Sequence, residues 1–250
     1  AGDRVYGRMP LQKIGAFAEY AAIDASAIAK VPEYLSDEEA ACVPLTALTA
    51  LQAFELMHPK AGETVFISGG TGSLGAMAIP VAKSFGLTVI TNGNGASEER
   101  VRKLGADRFI NYKKEDYTKV LSDVDYVLDT LGDRELAKEF AILKKGGSLV
   151  SLRGLPNGEF ATRSGMSFIK RMMFKIAGGK YDKMAAANNQ KYLFIFVHED
   201  GAGLEKISEI FMDSHIEASV DEVFDLDDVN KALKKVASGG SRGKTVLKLV

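Results

Sequence analysis

The stretch Thr64-Val65-Phe66-Ile67-Ser68-Gly69-Gly70-Thr71-Gly72-Ser73-Leu74-Gly75 decides the fold. Its first five residues are mostly β-branched or aromatic and read as a buried strand. Glycines then stand at 70, 72 and 75, and Ala76, Ile79 and Ala82-Lys83 continue the pattern as a helix to about Ser84. A strand that turns through Gly-x-Gly-x-x-Gly into a helix is the context of a dinucleotide-binding turn. The first glycine permits the tight turn, the second lets a pyrophosphate approach the backbone, and the third lets helix and strand come close. The helix N-terminus then offers unpaired N–H groups and partial positive charge to the phosphates. Gly70, Thr71, Gly72, Ser73, Leu74 and Gly75 are therefore candidate contacts. Pro80 lacks an N–H inside this helix and is expected to kink it.

Outward from the turn, apolar runs alternate with helical segments. Leu87-Thr88-Val89-Ile90-Thr91, Arg108-Phe109-Ile110, residues 124–129, residues 147–152 and residues 192–197 are the further strands. A charged helix over 97–104 and another near 134–141 lie among them. Near-continuous apolar strands separated by helices point to a parallel sheet covered on both faces. Right-handed crossovers then give an α/β, doubly wound, six-stranded Rossmann sheet. The flanks read differently. Residues 1–43 hold short turn-broken pieces of mixed or antiparallel sheet, such as Gly15-Ala16-Phe17-Ala18-Glu19-Tyr20. The tail carries one helix with Leu204, Ile207, Ile210 and Phe211 on a face, and a second with Val229, Ala232, Leu233 and Val236. A closing strand spans 245–250. The expected division is a Rossmann domain over 46–199 and a partial, mostly β substrate domain from 1–45 and 200–250, with a cleft between them.

The end of the second strand bears on the cofactor. Folds that bind NAD place an Asp or Glu there to hold the ribose 2′-hydroxyl. Here the chain reads Thr91-Asn92-Gly93-Asn94-Gly95, with no acid before Glu98. A carboxylate would repel a 2′-phosphate, so its absence at Asn92 favours NADP(H). Arg100, with Arg102 or Lys103 nearby, supplies either the matching cation or merely the solvated face of a helix. The short-chain dehydrogenase turn is a poor alternative, because Ser73 stands where it needs glycine and no tyrosine has a lysine four residues on.

Composition narrows the class. The 250 residues include 32 basic and 33 acidic side chains, so broad attraction to nucleic acid or to an anionic membrane is not expected. No apolar run is long enough for a membrane span. The single cysteine, Cys42, excludes an intrachain disulfide framework. His58, His198 and His215 are scattered without ligand spacing, so no metal site is expected. A soluble, cytoplasmic protein is the expectation.

Further stretches extend over nearly the whole chain: GAFAEYAAI, LSDEEAACVPLTALTALQAF, SGGTGSLG, LGADRFINYKKEDY, VDYVLDTLG, LKKGGSLVSL and RGKTVLKLV. In these motifs and their order the sequence resembles the zinc-independent quinone oxidoreductases and enoyl reductases of the medium-chain dehydrogenase/reductase superfamily. The resemblance implies that Thr46 and Thr49 lie near the nicotinamide, with Thr46 a candidate polar catalytic contact. It implies that Arg100 reaches the 2′-phosphate and that Tyr112 lies beside the adenosine. Thr130, Leu131 and Gly132, and Leu152, Arg153 and Gly154, would line the cleft. Phe194, Phe196 and Lys244 would close over it, although both phenylalanines also read as core aromatics of a buried strand. Zinc-dependent relatives carry a cysteine ligand where Pro44 aligns. Family members also carry a longer stretch before GDRVYG, so the substrate domain is expected to be incomplete.

The function so implied is NADPH-dependent, zinc-independent hydride transfer to a quinone or α,β-unsaturated carbonyl. The alternatives are a non-catalytic NADPH-binding protein on the same fold and an enoyl-thioester reductase. Strand 192–197 would form a sheet edge, which predicts a homodimer pairing these edges.

Overall fold

The computed structural model describes residues 1–239 and 243–249. Strand β1 (Val5–Gly7) pairs antiparallel with β2 (Ile28–Lys30). Helix α1 (Asp37–Ala41) begins in a capping box: the Glu39 amide donates to the Ser36 hydroxyl (3.2 Å), and the Ser36 amide donates to the Glu39 carboxylate (2.9 Å). Helix α2 (Pro44–Met57) opens on proline, which fits a first helical position. There follow β3 (Thr64–Ile67), α3 (Ser73–Ser84), β4 (Thr88–Gly93), α4 (Glu98–Lys103) and β5 (Arg108–Asn111). Next come α5 (Tyr117–Val120), β6 (Val124–Asp129), α6 (Asp133–Ile142) and β7 (Leu143–Ser151). Helices α7 (Gly158–Arg163) and α8 (Phe168–Ala187) then lead to β8 (Lys191–Phe194). The tail holds α9 (Gly201–Ser214), β9 (Val220–Asp225), α10 (Val229–Ser238) and β10 (Lys244–Lys248).

The chain divides into two compact units, Gln52–Phe196 and a second made of Ala1–Leu51 with the chain from Val197 onward. In the first, six strands pair in parallel in the order β5-β4-β3-β6-β7-β8. This is the doubly wound order, with its reversal between β3 and β6. Val65, Phe66, Ile67, Val127, Leu128 and Leu149 are wholly buried, as expected of strands covered on both faces. A cluster of Phe66, Tyr117, Phe140, Phe160, Tyr181 and Tyr192 fills one side of the sheet. Helix α3 runs unbroken from Ser73 to Ser84 with Pro80 inside and buried.

In the second unit, Leu204, Ile207 and Phe211 of α9 are fully buried, which matches the face read from the sequence. The flanks depart from that reading elsewhere. Residues 15–20 form bends and no strand, and Phe17 and Tyr20 are exposed. The antiparallel pair lies instead at β1 and β2. On α10 only Ala232 is buried, while Leu233 and Val236 face solvent. The closing strand ends at Lys248 and pairs in parallel with β9, a segment too acidic to read as a strand from hydrophobicity. Val250 lies outside the described residues.

Candidate active site

Open α/β sheets bind ligands at the carboxyl ends of the strands, where strand order reverses. Here that point lies between β3 and β6. The loop after β3 is held by β4. The Gly69 amide donates to Asn92 Oδ1 (2.7 Å), the Gly70 amide to the Asn92 carbonyl (3.1 Å), and the Thr91 hydroxyl to the Ile67 carbonyl (2.7 Å). A Cβ on Gly70 would overlap the Thr91 hydroxyl, and one on Gly75 would lie 2.5 Å from the Gly69 carbonyl oxygen and from Gly70 Cα. Close approach within the chain thus explains both glycines. Gly72 differs: its Cβ would meet nothing closer than the Gly69 carbonyl at 3.4 Å, an ordinary contact. Gly72 lines the cavity at the start of α3, where a phosphate would sit. These residues fit a dinucleotide.

The loops after β6 and β7 are tied by a buried carboxylate. Asp129 Oδ1 accepts from the Leu131 amide (2.8 Å) and the Gly132 amide (2.7 Å), and its Oδ2 from the Ser151 hydroxyl (2.5 Å). Ser151 Oγ in turn accepts from the amides of Gly154 (2.7 Å) and Arg153 (3.3 Å). Thr130 adds a bond from its hydroxyl to the Ser68 carbonyl (2.7 Å), which joins this loop to β3. Nearby on α6, the Glu139 carboxyl is fully buried and finds no hydrogen-bond partner among the described residues. Burial pushes it well above the usual carboxylate range, and the charge of Asp129 adds to this. The Ser68 hydroxyl opposes the shift only in part, since it donates to the Leu128 carbonyl (3.4 Å).

A cavity of about 1050 Å³ is lined by the loops after β3 and β6 together with the ends of β4 and β5 and the chain that follows β5. Of the residues expected from sequence, it brings together Thr71, Gly72, Ser73, Leu74, Gly75, Asn92, Tyr112, Thr130 and Leu131. Gly70, Gly132, Leu152, Arg153 and Gly154 are not among its lining residues; the Leu152 amide donates to the Asp129 carbonyl (3.1 Å). Arg100 is not among the residues that line the cavity; its guanidinium donates to the carbonyl of Thr71, which does, and so braces the glycine turn from α4. Lys113 and Lys114, to which no motif points, line the cavity beside Tyr112. The unassigned Asp129, Ser151 and Glu139 were equally hidden, because their roles depend on strands distant in sequence.

The remaining candidates are not among the residues that line this cavity. Phe194 is buried and stacks edge-on against Phe160, with ring centres 5.1 Å apart, so it is a core aromatic, while Phe196 is exposed beyond the strand end. Thr46 and Thr49 are buried on α2. Their hydroxyls donate back to their own helix, from Thr46 to the Cys42 and Val43 carbonyls (3.3 Å each) and from Thr49 to Leu45 (2.6 Å). Lys244, at the start of β10, has its pKa lowered by burial, an effect the nearby Cys42 partly offsets. Cys42 donates to the Glu38 carbonyl (3.2 Å), and burial pushes its thiol up to about 11.

Among the described residues no group of three or more His, Cys, Asp or Glu side chains could hold a metal ion. His215 caps α9 in a left-handed conformation and stacks on Tyr34 at 4.3 Å.

Comparison with known proteins agrees with the fold. Residues 104–247 match the family described as zinc-binding dehydrogenase. A probable zinc-binding oxidoreductase, mitochondrial, of Arthroderma benhamiae is 30% identical over 266 residues, covering 100% of this chain and 73% of that one. The structure of the quinone oxidoreductase from Coxiella burnetii superposes with a TM-score of 0.81 at 27% identity, over 100% of this chain and 73% of the other. The quinone oxidoreductase from Thermus thermophilus, solved also in complex with NADPH, gives a TM-score of 0.70 at 26% identity, over 94% and 74%. The chain is thus a member of the zinc-binding dehydrogenase family, in the medium-chain dehydrogenase/reductase superfamily of oxidoreductases.

Proposed function

We propose that the protein is an NADPH-dependent reductase of quinones or α,β-unsaturated carbonyls that works without a catalytic metal. The observation that carries this reading is the glycine cradle at the sheet's reversal point, with Gly72 lining the cavity and no carboxylate at the end of β4. A bound nicotinamide supplies the hydride chemistry. The chain's own part is to receive the phosphates on the amides at the start of α3 and to hold the ribose edge between Asn92 and Tyr112. Asp129 and Ser151 fix the facing loops before any ligand arrives, which lowers the ordering cost of binding. An electron-poor acceptor suits such a site, because negative charge delocalises as hydride arrives and no Lewis acid is needed.

Lys113 and Lys114 are the cations this reading assigns to a 2′-phosphate, since Arg100 is engaged with Thr71. NADPH oxidation with a simple quinone, then an enone, tests the reading, with a 2-enoyl thioester as the arm for enoyl-thioester reduction. Turnover with NADPH is expected to exceed that with NADH. Replacing both lysines by glutamate should raise the KM for NADPH by roughly tenfold to a hundredfold, in line with one or two charge-assisted bonds, and leave NADH little affected. NADPH binding without oxidation by any of the acceptors would instead support a non-catalytic cofactor-binding role. That reading is favoured by the Thr46 hydroxyl donating only to its own helix.

The same reading includes a homodimer. Strand β8 ends the sheet and carries an unpaired edge. A single monomeric mass by light scattering across a wide concentration range would refute it.

A further inference from the structure

Helix α6 turns Leu136, Glu139, Phe140 and Ile142 inward, and all four are buried. Three of them are what such a face requires. The fourth is a carboxyl with 0% exposure, and neither of its oxygens is hydrogen-bonded among the described residues. Burying a polar group without a partner costs free energy that a leucine in the same place would not. Departures of this kind from a local rule concentrate at functional sites. Glu139 lies beside Ser68 and Asp129, the residues from which the loops after β3 and β6 depart.

The hydrogen bonds around Glu139 leave it one role. A hydroxyl has one proton to give and two lone pairs on which to receive. The Ser68 hydroxyl gives its proton to the Leu128 carbonyl (3.4 Å) and takes the Thr130 amide on one lone pair (3.2 Å), which leaves the other. Asp129 is an acceptor throughout, from the Leu131 and Gly132 amides and from the Ser151 hydroxyl. A group that faces two acceptors has to be a donor. A neutral carboxylic acid is one, and a carboxylate is not.

The surrounding charges favour the neutral form. Asp129 on β6 and Glu135 on α6 oppose ionisation of Glu139, whereas Lys138, which favours it, is paired with Glu135 (2.9 Å). Tyr117 on α5 is uncharged, its phenol held above the ordinary value by burial and further by Glu139. Tyr181 on α8 is bound to Asp133, β3 carries no titratable side chain, and Lys144 and Lys145 stand at the far end of β7, where Lys144 meets Asp125.

We propose that Glu139 is a positioning residue of the cofactor site: as a neutral acid it donates its proton to Ser68 Oγ, and through Ser68 it holds Thr130 and the start of the glycine turn in the geometry that receives the dinucleotide. Thr130 lines the cavity and ties its hydroxyl to the Ser68 carbonyl (2.7 Å), and a Cβ on Gly69 would stand 2.7 Å from that hydroxyl. Ser68 is thus where two walls of the cavity join. Ionised, Glu139 has no proton to give. It draws the Ser68 proton toward itself and sets a second negative charge beside Asp129, near a turn that receives phosphates. Cofactor binding is then linked to a proton, with affinity highest where Glu139 is neutral. The proposal rests on the reading of the cavity as an NADPH site.

Fluorescence titration of the full chain with NADPH, from acid to mildly alkaline pH, tests it alongside E139Q and E139L. Glutamine keeps a neutral donor, and leucine keeps only the volume. Where Glu139 is neutral, E139Q should bind as the unsubstituted chain does, and E139L roughly three- to tenfold more weakly, the worth of about one hydrogen bond. As pH rises through the folded pKa of Glu139, the unsubstituted chain should lose roughly tenfold in affinity relative to E139Q, whose curve shares every other titration. Calorimetry in buffers of different ionisation enthalpy should show proton uptake on NADPH binding that E139Q lacks. A purely structural role would shift the urea midpoint of the variants without separating their binding curves. Coincident pH curves for the unsubstituted chain and E139Q, or undiminished binding by E139L, would overturn the proposal and leave the cofactor reading standing. Absence of NADPH binding in all three would overturn both.

Discussion

The loop after β3 is held mainly by backbone contacts and by missing side chains, whereas the loops after β6 and β7 are held by one carboxylate and one hydroxyl. At the first, Gly70 and Gly75 let main chain and Thr91 approach, and the bonds run to Asn92. At the second, Asp129 gathers two amides and the Ser151 hydroxyl, and Ser151 gathers two more amides. Both arrangements leave amides and loops in place at the edge of one cavity. The first is written locally and survives as a motif. The second exists only when β6 and β7 lie side by side, so it can be reached only through the fold.

The largest test of this contrast is Asp129→Ala. It strands three donors next to a buried site, and should lower unfolding free energy by about 3–5 kcal/mol in urea denaturation. Next is a pair of glycine substitutions. Gly70→Ala collides with Thr91 and should cost about 1–3 kcal/mol, with loss of cofactor binding. Gly72→Ala should leave the Tm nearly unchanged yet weaken NADPH binding by roughly tenfold or more, measured by fluorescence titration. Equal effects of the two on stability would erase the distinction drawn between them.

Glu139 sharpens the comparison from the other side, as a buried carboxyl with no partner beside one that has three. Its folded pKa lies above its unfolded one, mainly through burial. The unfolded chain therefore releases this proton first, and stability falls as pH rises from the ordinary carboxylate range through the folded value. Glu139→Gln should remove that decline, stabilise the protein at neutral pH by about 1 kcal/mol, and leave acid stability little changed. Chemical denaturation at several pH values reads both. The smallest expected effect is Asn92→Ala, which removes the bond from the Gly69 amide and should cost about 1 kcal/mol.

Legibility in the sequence follows the same division. Strands β3 to β7 and helices α3, α4 and α6 were readable because each is either continuously apolar or singly amphipathic, so one period accounts for it. Helix α8 was not, because its opposed apolar faces and its five basic residues leave no single stripe. Strand β9 was missed since Asp221, Glu222 and Asp225 interrupt it, and its parallel pairing with β10 is what makes it a strand. In the candidate site, the glycines, Asn92, Tyr112 and Thr130 could be found from motif and order. Lys113 and Lys114 could have been noticed as a basic pair beside Tyr112. The turn of Arg100 toward Thr71 depends on a rotamer choice that sequence does not constrain.

Ser151 fixes the direction of its whole chain of bonds. Its oxygen accepts from two amides, so its one proton goes to Asp129. Replacing Ser151 with alanine and Asp129 with alanine together should therefore cost much less than the two separately, since each single change already unties the other's partners. A thermodynamic cycle on this pair would measure how far two loops, more than twenty positions apart in the chain, answer as one hinge-free wall when a ligand presses on either.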